Sequence, residues 1–548
     1  MSGTKVTAKR ARNPMSHRKD TSQRRIAGGI TSLVMLLASA VLTSPRLCGA
    51  APQKGCYKRQ GLDPKIEAVI DEFRASVPQI MDKGGVPGAA IALVDDQGIL
   101  WAEGFGYMGG KGKRPVTADT PFLISGLSKL ITATAVMLAV QDGLVSLDEP
   151  ITTYLPEFKI NSRYEEYPEQ KITLRRLLNC TAGLPLETPL GNYFEPASSA
   201  SFEDHVKSVY GSWLVYGAGT GFSYGSVSCD LAGYVIQKVS GKPFEQYVKE
   251  RIFVPLEMSN STLDRKEILK NKDRAIGHMM GMDGLPAAYP GLAAGGMYST
   301  ARDYARIVQF HINRGVLDGQ RILDESLMEA IRKPTSLVTR DPNLYYGMGI
   351  HIDKRAPERT EQILWHDGWG FGFMSLLHWY PEYGIGGVVL TNKMPHPVLA
   401  ELGLTLTDRL IKDKLVAKRF PPSEAGAGHC VGTWWGWPDH KPTPYQPAWR
   451  RYCGAHRLRF TEYELEWWAK LAILIKGRDE FTPRIRVYEK DGFLCVTESE
   501  FFNKIGAGRH IDEKLQEVKP GIFAAQSGIT LDFTRDVPTW RNYRLEKR

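Results

Sequence analysis

The chain has 548 residues, 43% of them hydrophobic and 24% charged, an ordinary globular composition that excludes a fibrous, low-complexity or wholly disordered protein. At roughly 100–200 residues per domain, two or three domains fit. The net charge of +10 gathers in residues 1–50, where nine Lys/Arg face one acid, Asp20; the remainder is near neutral, which excludes an electrostatic footprint for DNA or RNA on the folded part.

The basic head runs into Ile26–Thr43, "IAGGITSLVMLLASAVLT", followed by small residues near Gly49–Ala51. A basic n-region, an apolar h-region and a small-residue cleavage site read as a secretory signal peptide. The same run is long enough for an uncleaved anchor, so membrane anchoring through residues 26–43 stays open, as does an organelle transit peptide. Each version takes the bulk of the chain out of the cytosol: periplasmic, extracellular, or anchored and facing outward.

Next, Ile66–Lys83 has helical periodicity and stops at Gly84–Gly85. Ala89–Val94, a polar Asp95–Gly98 turn and a run from Ile99 predict a hairpin. Thr132–Gln141 is apolar almost all round, the pattern of a helix buried on every side, and Gly143 ends it. Helical stretches follow at Asp230–Ile252 and Ala301–Arg314, then strand-like runs at Met374–Trp379 and Gly386–Leu390. Strands at both ends with helices between predict one mixed sheet whose first and last segments meet.

From Lys412 the composition turns charged and then Pro/Gly/Ala-rich, as in a linker. Seven of the twelve Trp lie from Trp434 onward, and "RIRVYEKDGFLCVT" carries an Asp491–Gly492 turn signal, so the tail reads as a small all-β domain. Its Trp cluster suits core packing better than a carbohydrate platform. Cys430 and Cys453 flank the Trp-rich segment and could pair in an oxidising compartment. His429, Cys430, His440, Cys453 and His456 read as loop histidines and a buried or bridged thiol rather than metal ligands, and no cofactor or metal is implied.

Four local signals carry chemistry. Gly126-Leu127-Ser128-Lys129 opens the buried helix; positions three apart share a face, and burial can strip a lysine of its proton, which is what gives an S-x-x-K spacing mechanical meaning. Tyr224-Gly225-Ser226 offers a phenol and a small polar side chain. His366-Asp367-Gly368 puts a polar residue and a glycine at the start of a strand. Ala293–Ile307 is a Gly-rich turn feeding a helix and reads as structural.

In their order and spacing, together with "VPGAAIALVDDQG", "TPFLISGLSKLITA", "LVSLDEPITTYLPEF", "ITLRRLLNCTAGLP", "GTGFSYGSVSCDLAGYVIQKVSGKPFEQYVKERIFVPLEMSNSTL" and "GIGGVVLTN", these segments resemble the serine β-lactamase and penicillin-binding-protein superfamily. The nearest branch is the class C β-lactamase-like group, with its D-alanyl-D-alanine carboxypeptidases and esterases. The resemblance covers about residues 64–413, and the tail resembles a lipocalin-like C-terminal domain.

It implies an α/β (α+β) fold, an antiparallel or mixed sheet flanked by helices plus a helical region, followed by a small all-β barrel-like domain. The division implied is 1–50 signal or anchor, 64–413 β-lactamase-like domain, 414–428 linker and 429–548 all-β domain. It also implies Lys129 as the motif lysine, Tyr224 as the general-base tyrosine, Ser226 at the place of a substrate-binding Asn or Ser, and His366 with Gly368 as the strand element that binds the substrate backbone and helps form the oxyanion hole. Substrates would be peptide, amide or ester compounds such as D-amino-acid peptides or β-lactams; the oligomeric state is not implied.

Two departures matter. The family's F-x-x-x-S-x-S-K stretch has Gly126 at the serine position, and its HTSG loop is Cys180-Thr181-Ala182-Gly183. Glycine has nothing to acylate. Three routes remain: Ser125 as a fallback nucleophile, four residues before Lys129 but about 100° away around a helix for each residue of offset; a pseudoenzyme that binds without turnover; or water activated by Tyr224 or Lys129.

Overall fold

The computed structural model describes residues 56–420 apart from 110–113, 192–199, 280–281, 284–288, 339–342 and 355–361, and beyond them 430–431, 444–459, 484–498, 513–519, 522–524, 530–533, 539–540 and 543–547. The basic head, the apolar run 26–43 and most of the proposed linker lie outside the described residues. So do the side chains of every tail Trp except Trp449, which is buried in the tail's own core as expected.

The first helix, α1 (Pro64–Gly84), starts where the Asp63 carboxylate accepts from the Lys65 N–H at 2.8 Å and stops at Gly85, whose φ of 58° ends the helix without strain. The expected hairpin is β2 (Gly88–Asp95) and β3 (Gly98–Gly106), with β1 (Tyr57–Lys58) added along β3. The buried helix, α2 (Ser128–Gln141), follows a single 3-10 turn at Ser125–Leu127.

The helical stretch expected over Asp230–Ile252 is not continuous. Helix α3 (Ser226–Ser240) closes at Gly241, φ 67°, and Pro243 starts a separate short helix at Phe244–Val248, because a left-handed glycine followed closely by proline cannot continue the first. A four-residue turn, α4 (Leu292–Gly295), precedes α5 (Ala301–Ile312).

The remaining strands are β4 (Ser336–Leu337), β5 (Leu344–Tyr346), β6 (His351–Asp353), β7 (Ile363–Gly370), β8 (Phe373–Tyr380), β9 (Ile385–Thr391) and, after helix α6 (Leu399–Lys412), β10 (Cys430–Val431). They form one sheet in the order β1-β3-β2-β9-β8-β7-β6-β5-β4-β10. First and last segments do meet: β9 pairs antiparallel with β2 from Ile385↔Asp95 to Thr391↔Ala89. Among the described residues the one parallel pair in this sheet is β4 with β10, which makes the sheet mixed.

Both faces are covered, so β2, β8 and β9 are buried along their whole length. Helices α2, α3 and α5 enclose one core against one face, and α1 and α6 enclose a second against the other. Among its described residues the tail forms a second sheet of nine strands, every pairing antiparallel, whose order begins at Glu513–Lys514 and ends at Gln516–Lys519. Residues 513–519 pair with Phe493–Glu498 through one half and with Ile522–Ala524 through the other, with Leu515 N donating to Leu494 O at 2.8 Å between them. Cys453 is a free thiol, so the pairing considered with Cys430 is not made.

Candidate functional site

The residues singled out by motif come from three distant segments, and the sheet edge and α2 bring them together. The chain leaves the short strand Phe122–Leu123, is fixed by the Ile124 N–H bond to Met297 O at 3.0 Å, and turns through Ser125–Leu127 into α2. Tyr304 of α5 donates its hydroxyl to Leu127 O at 2.5 Å, and Ser128 accepts from the Met297 N–H at 3.3 Å. The N-terminus of α2 is therefore pinned from two sides.

Lys129 is buried, with Nζ donating to Ala294 O at 3.1 Å and standing 4.6 Å from the centre of the Tyr224 ring, whose hydroxyl it also bonds. Burial works against its charge, but Tyr224, Cys229 and Cys180 work in its favour and the net direction is upward. The Ala294 carbonyl and the ring face both suit an ammonium. Burial alone was expected to free this amine of its proton; the Ala294 carbonyl and the Tyr224 ring face act against that.

Tyr224 is pushed up to about 12 by burial, with Lys129 pulling the other way. Its hydroxyl lies 3.5 Å from His366 Nε2, and the Tyr346 hydroxyl lies 3.2 Å from the same nitrogen. His366 is fully buried, and its Nδ1 lies 2.6 Å from Asp367 O. A carbonyl only accepts, so Nδ1 carries the proton and Nε2 offers its lone pair to the two phenols. Burial first, then His351 and Lys129, hold this imidazole well below its ordinary value, so it is neutral.

Strand β7 presses against the turn before α2. A β-carbon on Gly368 would lie 2.1 Å from Ile124 O and 2.4 Å from Ser375 Oγ, which itself donates to Ile124 O at 2.8 Å, so only glycine fits. A β-carbon on Gly126 would lie 2.6 Å from Asp367 O, 3.0 Å from the Tyr224 hydroxyl and 3.2 Å from His366 Cε1. Residue 126 thus faces the phenol and imidazole, and a backbone carbonyl fills the space of the missing side chain.

Ser125 is held at φ 48°, a left-handed value unfavourable for serine, and its hydroxyl is buried with no hydrogen-bond partner among the described residues. It is not bonded to Lys129, Tyr224 or His366. Ser226 opens α3 and is half-buried; its N–H donates to Leu186 O at 2.8 Å, and no hydrogen bond joins its side chain to the cluster among the described residues.

Cys180 also has a left-handed φ, 59°. Its carbonyl accepts from Ser223 N at 2.9 Å and the Tyr216 hydroxyl at 3.1 Å, and burial pushes its thiol up to about 11. The loop departing from HTSG therefore props the Tyr224 turn.

Sequence reasoning did not anticipate Tyr346, His351, Ser375 or Asp230. Asp230 Oδ1 accepts from the Ala294 N–H at 2.9 Å, and its Oδ2 lies 3.3 Å from His205 Nε2, with both side chains buried. The Ala294 backbone thus joins Asp230 on one side to Lys129 on the other. An acid inside the apolar run "VSCDLAGYVI" was the available signal.

The shifts favour the charged form of Lys129 and the neutral forms of Tyr224 and His366, and burial raises the Asp367 carboxyl. What the site does offer, among the described residues, is a strand edge left unpaired beyond Trp365, since β6 pairs with β7 at Ile363–Trp365.

A family model described as Beta-lactamase matches residues 73–409. The chain is 25% identical over 325 residues to Protein flp of Staphylococcus aureus (strain MW2), an alignment covering 57% of this chain and 61% of that one, so it spans about three fifths of that relative. It is 26% identical over 366 residues to a beta-lactamase of Yersinia enterocolitica, covering 60% of this chain and 89% of that one. The solved octameric penicillin-binding protein homologue from Pyrococcus abyssi superposes with a TM-score of 0.55 at 21% identity, covering 87% of this chain and 99% of that one, a likeness of fold.

Proposed function

The chain belongs to the beta-lactamase family, and from that premise we propose that it is a member that binds peptide- or amide-bearing ligands without forming an acyl-enzyme. The observation that carries this reading is the packing at Gly126, where the Asp367 carbonyl stands in the space a nucleophile would need. Acylation also requires a base for the nucleophile's proton, and the charge states of Lys129, Tyr224 and His366 do not favour one. Ser125, buried and unbonded, has no activating partner. The open edge of β7 supports the binding half, because an extended peptide can complete its hydrogen bonds there.

The test is to incubate the purified protein with fluorescent penicillin and with a fluorophosphonate, then titrate it with acetyl-glycyl-D-alanyl-D-alanine by calorimetry. Reversible binding with no adduct is expected. An adduct on Ser125 overturns the non-acylating reading. Turnover without adduct, abolished by Tyr224→Phe or Lys129→Ala, replaces it with hydrolysis by activated water. No binding at all removes the ligand class.

A further inference from the structure

Side chains alternate along a strand, so Trp365, Asp367 and Trp369 share one face of β7. His351 of β6 stands opposite Trp365, and the two rings stack with centroids 4.4 Å apart and 17° between planes. The chain then leaves the sheet. Gly349, at φ 75°, lies so close to α2 that a β-carbon on it would be 2.7 Å from Lys129 O. Four residues beyond Trp365, Trp369 therefore stands at the same edge with no strand opposite it among the described residues, and 46% of it is exposed. Its indole lies beside the Asp367 carboxyl on the same face of the strand and favours that group's charged form.

The backbone is oriented to match. Gly370 pairs with Phe373 across the turn Phe371–Gly372, whose φ values of 46° and 86° are both left-handed, the pattern of a tight two-residue hairpin. Gly370 and Gly368 then turn their N–H and C=O groups to β8, and Trp369 turns its own to the other edge, where Asp367 O is already taken by His366 Nδ1 at 2.6 Å.

We infer that this edge takes an extended peptide and that Trp369 selects an aromatic side chain on it, repeating with the ligand the stacking that His351 makes with Trp365. The inference rests on the binding reading above and names its specificity. A peptide added at the edge places one side chain directly across from Trp369, at the spacing where aromatic cross-strand pairs form. The same peptide takes hydrogen bonds from the Trp369 backbone, so the stacking sets preference while the edge sets affinity.

Calorimetric titration of acetyl-phenylalanyl-D-alanyl-D-alanine and acetyl-glycyl-D-alanyl-D-alanine into the native protein, Trp369→Ala and Trp369→Phe tests it. The phenylalanyl peptide is expected to bind native protein about fivefold more tightly, the size of effect one aromatic pair supplies. Trp369→Ala removes that preference by weakening the phenylalanyl peptide alone, and Trp369→Phe retains part of it. Equal binding of the two peptides to native protein, or a Trp369→Ala loss shared by both, overturns the role of Trp369 and leaves the binding reading standing. If neither peptide binds native protein, the binding reading fails and this inference falls with it.

Discussion

The carbonyl oxygen of Asp367 lies 2.6 Å from the point where a β-carbon on Gly126 would stand. That oxygen belongs to a strand paired with β8 along seven residue positions, so it cannot yield without disturbing the ladder. Gly126→Ser is therefore expected to cost about 1–3 kcal/mol, the range for overpacking a close-packed site. It is also expected to remain unlabelled by fluorescent penicillin. Urea unfolding and a labelling gel read both; a serine variant of unchanged stability that acylates would show that the strand withdraws freely.

Ser125 carries two separate costs, a left-handed backbone and a buried hydroxyl without a partner. Ser125→Gly removes both, gaining about 1–2 kcal/mol from the backbone and about 1 from the hydroxyl, less roughly 0.5–1 for the freer unfolded chain. A net gain of about 1–2.5 kcal/mol in urea unfolding is expected, with Ser125→Ala gaining less. Destabilisation by Ser125→Gly would mean that the hydroxyl has a partner after all.

The buried imidazoles set a pH dependence. His366 is held well below the ordinary value, and burial takes His311 to about 3 and His396 to about 4 from 6.5. Below that ordinary value the unfolded chain binds protons that the folded chain refuses, so stability falls as pH falls. With each imidazole contributing about 1.4 kcal/mol between pH 7.5 and 5.5, urea unfolding at the two pH values should differ by about 4 kcal/mol. Asp303 and Asp367, raised by burial, act in the opposite sense and matter as the carboxylate range is approached. A flat profile between the two pH values would show that these rings take protons in the fold.

Asp230 is expected to matter more than any surface acid. Removing the carboxylate leaves two buried hydrogen-bonding groups without that partner, at about 1–3 kcal/mol for each. Asp230→Asn keeps an acceptor for the Ala294 N–H and should cost one such loss, while Asp230→Ala loses the acceptor too and should cost both. Thermal melts of the two variants and native protein give the order; an Asn variant as unstable as the Ala variant would show that charge alone matters.

Much of the fold was legible because its elements announce themselves locally. The polar turn between two apolar runs gave the β2–β3 hairpin, and an all-apolar helix gave α2. The break after α3 was written as Gly241 and Pro243, yet periodicity on both sides masked it. In the site, Lys129, Tyr224 and His366 were readable as motifs and do converge. Tyr346 and His351 were not, because they reach the cluster through strand register, which no local pattern encodes. The decisive contact at Gly126 was unreadable for a simpler reason: its partner is a main-chain oxygen.

The same holds for the link between Asp230 and Lys129. Because it runs through the N–H and C=O of Ala294, any small residue at that place preserves it. Such wiring can outlast extensive drift in the letters around it, and relatives that share no identity at this position are free to carry the same connection.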